Sequence, residues 1–174
     1  MKYEQVPLDQ LDFKAGTMLL VDKPLEWTSF DVVNKIRFRL KHMLGVKKIK
    51  VGHAGTLDPL ATGLLIICTG KSTKQLESYQ AQEKTYTGTF YIGATTPSFD
   101  RETEIDQRYP TSHITPELIE TARQQFVGPL QQYPPMFSAI KVDGQPLYKK
   151  ARKGGKVELK ARPVEIFSFE FSRI

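Results

Sequence analysis

Residues 53–59 read His-Ala-Gly-Thr-Leu-Asp-Pro and set one carboxylate, Asp58, among Leu57, Pro59, Leu60 and Ala61. A carboxylate held in a rigid, partly dry loop can serve as a nucleophile or as a general base. An Asp-Pro pair suits an Asx turn or a helix N-cap equally well. Residue types and spacing leave both readings open.

Other chemistry is excluded more firmly. Gly70-Lys71-Ser72 has the tail of a phosphate-binding loop, but Leu65 stands where the first glycine must be, so the backbone amides cannot wrap a phosphate. His42, His53, His113 and Cys68 are scattered and lack metal-ligand spacing. No Gly-x-Ser-x-Gly nucleophile elbow occurs. Gly52-His53-Ala54-Gly55 has the outline of a KH-type clamp, without the helices that such a clamp needs around it.

The elements that must position Asp58 follow from periodicity. Residues 1–15 read as an arm, and Thr17–Val21 as a short strand ending at Asp22-Lys23-Pro24. Val33, Ile36, Leu40 and Met43 or Leu44 recur at helical spacing, which predicts a helix over about 30–43 capped by Ser29 and closed by Gly45. Residues 51–63, with three glycines and a proline, predict an ordered loop. The apolar strand Leu64–Cys68 and a short helix near Ser72–Tyr79 come next. Lys84–Ala94 alternates and predicts a strand. Thr115-Pro116-Glu117 opens a helix carrying Leu118, Ile119, Ala122 and Phe126, closed by Gly128-Pro129. Met136–Val142 with the Asp143-Gly144 turn predicts a hairpin or a bent extended segment. A basic helix near Leu147–Lys153 and strands at Val157–Lys160 and Val164–Phe171 complete the chain. The class expected is α+β, with a mixed, largely antiparallel sheet flanked by helices.

With 174 residues, 40% of them hydrophobic and 25% charged, the chain can bury a proper core. No apolar run approaches the ~20 residues that span a bilayer, and the N-terminus lacks a signal-peptide core. The single cysteine, Cys68, lies inside an apolar run, which predicts a buried, inert thiol and a cytoplasmic protein. Of the net charge of +6, much is concentrated in two places. Seven cations and no acid fall between Lys35 and Lys50, and eight cations against Asp143 and Glu158 between Lys141 and Arg162. Two such clusters point to a polyanionic partner, nucleic acid rather than membrane, since no amphipathic helix exposes large apolar residues.

Four segments, in order, carry a resemblance. Gly52-His53-Ala54-Gly55-Thr56-Leu57-Asp58-Pro59-Leu60-Ala61-Thr62-Gly63-Leu64-Leu65 closely resembles the catalytic signature of the TruB family of tRNA pseudouridine synthases. Lys23-Pro24-Leu25-Glu26-Trp27-Thr28-Ser29 is similar to its Lys-Pro-x-Gly-x-Thr-Ser element, with Glu26 in place of glycine. Lys84-Thr85-Tyr86 resembles the strand bearing its active-site tyrosine. Residues 131–141 and Leu147-Tyr148-Lys149-Lys150-Ala151-Arg152 resemble its inserted RNA-gripping segment.

The resemblance covers nearly all of residues 17–174 and implies isomerisation of uridine to pseudouridine at position 55, in the T-loop of elongator tRNAs. Asp58 would be the catalytic aspartate, His53 a contact that helps displace the target nucleotide, and Tyr86 a ring stacked on the extruded uracil. Lys141, Lys149, Lys150 and Arg152 would grip the RNA. No metal or organic cofactor is implied, and a monomer acting on the tRNA T-arm is expected. Residues 1–174 would form a single, partial catalytic domain with an insertion at about 128–155. The family continues beyond the equivalent of Ile174 into a strand whose arginine pairs with the catalytic aspartate. The alternative is therefore a tRNA-binding or refolding module without chemistry. Water must be kept from a detached base, so a dry surrounding for Asp58 and a lid formed by Tyr86 are expected.

Overall fold

A computed structural model describes residues 6–134, 141–142, 145–146 and 159–173. The chain forms two compact units, residues 1–87 and 88–174.

In the first unit, a three-stranded antiparallel sheet has the order β1-β3-β2, from β1 (Met18–Lys23), β2 (Val51–Ala54) and β3 (Gly63–Thr69). The alternation of β1 turns Leu19 and Val21 toward the core. Helix α1 (Ser29–Met43) covers that core with Val32, Val33 and Leu40, which pack with Val51, Leu65 and Ile67. Phe13 is buried in the same cluster, so the expected N-terminal arm is in part core. β2 also replaces the first third of the loop expected at 51–63, because residues 51–54 find a ladder partner in β3.

Helix α1 begins one residue earlier than its spacing suggested. Thr28, not Ser29, is the N-cap: its hydroxyl accepts from the Asp31 N–H while the Asp31 carboxylate accepts from the Thr28 N–H, a complete capping box. The helix ends in a Schellman arrangement, with Val46 N–H donating to Lys41 C=O and Gly45 N–H to His42 C=O. A 3-10 turn (Gly70–Gln75) and α2 (Leu76–Gln80) stand where one short helix was expected. The thiol of Cys68 is fully buried and its pKa is raised by that burial.

Lys84–Ala94 departs from expectation. Only Ala94 falls in a strand, and Tyr86, Phe90, Tyr91 and Ile92 are exposed. The alternation is present, but residues 84–93 have no ladder partner among the described residues, and an unpaired strand leaves its amides to water.

Among the described residues, the second unit holds two-stranded antiparallel pairs and one helix. β4 (Ala94–Thr95) pairs with β5 (Gln107–Arg108), and β6 (Gly128–Gln132) with β9 (Arg162–Ile166). β7 (Lys141–Val142) pairs antiparallel with β8 (Gln145–Pro146), while residues 136–140 and the Asp143-Gly144 turn expected there lie outside the described residues. Helix α3 (Pro116–Gln124) starts as anticipated, capped by Thr115 with proline in its first turn. Gly128 and Pro129 follow it as the start of a strand. Within α3 Arg123 pairs with Glu120, and it also donates to the Phe169 carbonyl. The expected basic helix near 147–153 and the residues Lys149, Lys150 and Arg152 lie outside the described residues. Every strand pairing is antiparallel among the described residues, in an α+β chain.

Candidate active site

The segment carrying Asp58 is the connection between β2 and β3, residues 55–62. It starts and ends on glycines in the left-handed region, Gly55 at φ 91° and Gly63 at φ 118°. A Cβ at either would meet nothing within 4 Å, so conformation rather than space calls for glycine. Between them, Ala61 N–H donates to Asp58 C=O at 3.0 Å and closes a β-turn with Pro59 at its second position. No helix begins there, which removes the N-cap reading of Asp58.

The backbone on both sides of Asp58 is held by one other segment, residues 23–29. Leu57 N–H donates to the Ser29 hydroxyl at 2.9 Å, and that hydroxyl donates to Leu57 C=O at 3.1 Å. Glu26 N–H donates to Pro59 C=O at 2.8 Å. Lys23 stiffens the bracing segment from within, its ammonium donating to Pro24 C=O at 2.9 Å and Trp27 C=O at 2.6 Å. Asp58 itself is exposed. The dry surrounding expected for it differs from what is found: Leu57 and Pro59 are half-buried, but Asp58 and Leu60 are exposed.

Lys23 is the residue that spacing alone did not single out. It is completely buried. Burial pushes its pKa down, and the nearby Asp58 carboxylate pushes it back up. Its signal was in the sequence. Leu19, Val21 and Lys23 share one face of β1, so the alternation that buries the first two buries the lysine as well.

His53 lies on β2 opposite Ile67, half-buried, with Nδ1 hydrogen-bonded to Gly55 C=O. A carbonyl only accepts, so Nδ1 is the donor in this bond. His53 stands in β2 just before the connection, and Asp58 lies within it as the first residue of its turn. Tyr86 belongs to the irregular segment after α2, its ring 72% exposed. Lys141 lies in β7. Of the basic stretch 35–50, Arg37 is structural, donating to Val51 C=O at 3.0 Å and to the Asn34 side chain and so joining α1 to β2. Lys35, Arg39, Lys47, Lys48 and Lys50 remain exposed. An open groove lined by Glu26, Trp27, Asp31 and Lys35 flanks the brace. Among the described residues no group of three or more His, Cys, Asp or Glu is placed to hold a metal ion, and no helix is long and apolar enough to cross a membrane.

Residues 41–174, from the end of α1 through the Asp58 loop onward, match the description "TruB family pseudouridylate synthase (N terminal domain)". The chain belongs to the TruB family. Relatives of TruB type match over a longer stretch that takes in the bracing segment. The tRNA pseudouridine synthase B of Phocaeicola vulgatus is 61% identical over 160 residues, covering 92% of this chain and 68% of that protein. Its namesake in Flavobacterium johnsoniae is 57% identical over 164 residues, covering 94% and 72%. A solved structure described as a Cbf5-Nop10-Gar1 complex matches 79% of this chain and 34% of its own, with a TM-score of 0.46 and 23% identity.

Proposed function

We propose that this protein isomerises uridine to pseudouridine in tRNA, at position 55 of the T-loop of elongator tRNAs. The observation that carries the proposal is the 61% identity, over 160 residues, to a relative named tRNA pseudouridine synthase B. The same likeness favours an enzyme over a module that only binds RNA. Residues 1–174 act in it as one part of a catalytic domain, with an RNA-gripping insertion at about 128–155.

The reaction breaks the bond between ribose C1′ and uracil N1, turns the base, and joins C1′ to C5. The C5 proton is released and N1 gains one, so the net change is an isomerisation. Asp58 is the reacting carboxylate, attacking sugar or base or removing a ribose proton. Its exposure in a turn suits a macromolecular substrate, which can reach it without any opening of the protein. RNA laid over the turn then supplies the cover that the chain by itself does not. The target base must leave its stack, at a cost of a few kcal/mol. His53 contacts the RNA beside the vacated position, and Tyr86 stacks on the extruded uracil, worth about 1–3 kcal/mol. Lys141, Lys149, Lys150 and Arg152 contact backbone phosphates. The protein works as a cytoplasmic monomer without metal or cofactor.

The test is tritium release from C5-labelled uridine in a T-arm RNA, using the full-length protein and its Asp58→Asn variant. The parent releases tritium at position 55. The variant releases none, binds tRNA as tightly as the parent and melts at the same temperature, because an amide is neither base nor nucleophile while the loop's braces are backbone groups and Ser29. Turnover by folded Asp58→Asn would remove Asp58 from the mechanism.

A further inference from the structure

Ser29 opens α1 but does not cap it. Thr28 and Asp31 satisfy the first turn between them, which leaves the Ser29 hydroxyl for other work. That hydroxyl is buried, 3% exposed, and 28 residues away in sequence from its partner. It makes two bonds to the same residue, accepting from Leu57 N–H at 2.9 Å and donating to Leu57 C=O at 3.1 Å. A hydroxyl has one proton and two lone pairs; here the proton and one lone pair are both spent on the peptide groups of the residue preceding Asp58. Glu26 N–H holds the residue following it.

We propose that Ser29 is a positioning residue for the reaction: with the Glu26 amide it clamps the backbone on both sides of Asp58 and so fixes where the carboxylate stands. The inference rests on Asp58 being the reacting group. Its physical basis is that Asp58 is exposed and sits on a connection whose end glycines, Gly55 and Gly63, leave the backbone many conformations. Something must select one of them. The Ser29–Leu57 pair of bonds does so as a ladder rung would, with a side chain standing in for a strand. The support is itself anchored, since Ser29 begins a helix packed on the sheet through Val32 and Val33, and the preceding turn is pinned by Lys23.

A positioning role and a merely structural one differ in kinetics. Displacing a reacting group by about 1 Å can cost on the order of 100-fold in rate, while RNA affinity, which rests on contacts elsewhere, is untouched. Full-length Ser29→Ala, Ser29→Thr and Ser29→Cys proteins are assayed by tritium release at saturating and subsaturating tRNA, with tRNA binding and melting measured in parallel. Ser29→Ala is expected to lower kcat by roughly 10–100-fold with KM and tRNA affinity within about twofold, and Ser29→Thr, which keeps the hydroxyl, to recover most of the loss. Ser29→Cys keeps the volume and weakens the hydrogen bonds. It should show an intermediate kcat, and it serves as the deciding variant where the alanine protein does not fold. A folded alanine or cysteine variant with the parent's kcat overturns the proposal, whatever its melting temperature. The Asp58→Asn protein, run beside them, separates the two failures. If that variant is inactive while the Ser29 variants keep full kcat, only the clamp is wrong. If it turns over, Asp58 is not the reacting group and the clamp falls with it.

Discussion

Glu26 donates its backbone N–H to the Pro59 carbonyl at 2.8 Å from a residue held at φ 66°. Non-glycine residues rarely occupy that region, since Cβ crowds the following carbonyl at about 1–2 kcal/mol. The left-handed backbone and the hydrogen bond to the Asp58 loop thus fall on the same residue of the turn after β1. The Lys-Pro-x-Gly-x-Thr-Ser element that the segment resembles has glycine at this place, and the φ value supplies the reason. Glu26 bears the strain for the sake of a backbone contact, not for its carboxylate.

Glu26→Gly should therefore stabilise the protein. The side chain is exposed, so little is lost with it, and glycine keeps the N–H. Relief of strain set against glycine's greater freedom in the unfolded chain leaves a net gain of about 0.5–1 kcal/mol. That corresponds to a rise in Tm of roughly 2–6 °C for a domain of this size. Calorimetry on parent and variant checks it, and a lower Tm in the glycine protein would show that φ at residue 26 is not a source of strain.

Lys23 should leave a mark on the pH dependence of stability. Burial lowers its pKa in the folded protein below the unfolded value, with Asp58 offsetting part of the shift. Between the two values the folded protein has released a proton that the unfolded chain still holds, so stability rises with pH through that window. The window lies below the ordinary lysine pKa of about 10.4. Lys23→Met removes the proton and also deprives the Pro24 and Trp27 carbonyls of their donor, at about 1–3 kcal/mol for each one left without a partner. Urea unfolding from neutral to alkaline pH should find the variant less stable throughout, with the parent's advantage growing as the pH rises. A constant difference would place the folded-state pKa at its usual value.

Eight cations against two acids between Lys141 and Arg162 predict a steep salt dependence of tRNA binding. Replacing Lys149, Lys150 and Arg152 together by Ala should weaken binding at low salt. Each lost phosphate contact should reduce the slope of log K against log salt by about one. Filter binding over a series of salt concentrations measures it; an unaltered slope would make these residues an ordinary solvated face.

What the sequence determined by itself was whatever depends on neighbours along the chain. The α1 stripe, the cap and proline that open α3 and the loop around Asp58 are local patterns, and local hydrogen bonding and burial period realise them. The resemblance of four ordered segments also identified the family without coordinates. The tertiary structure decided the matters that depend on pairing across the chain. Residues 51–54 became a strand because β3 lies beside them, whereas residues 84–93, with a clearer alternation, did not, having no ladder partner among the described residues. The cap moved to Thr28 because Ser29 had a partner 28 residues away, a contact that no periodicity encodes. Asp58 came to be an exposed residue although its sequence neighbours are apolar, since exposure depends on the folded surroundings and not only on the residues that flank it. Lys23 lies between these cases. Its alternation with Leu19 and Val21 is visible in the sequence once β1 is known to run through it, but only folding brought the Pro24 and Trp27 carbonyls and the Asp58 carboxylate to a buried ammonium that would otherwise be too costly to keep.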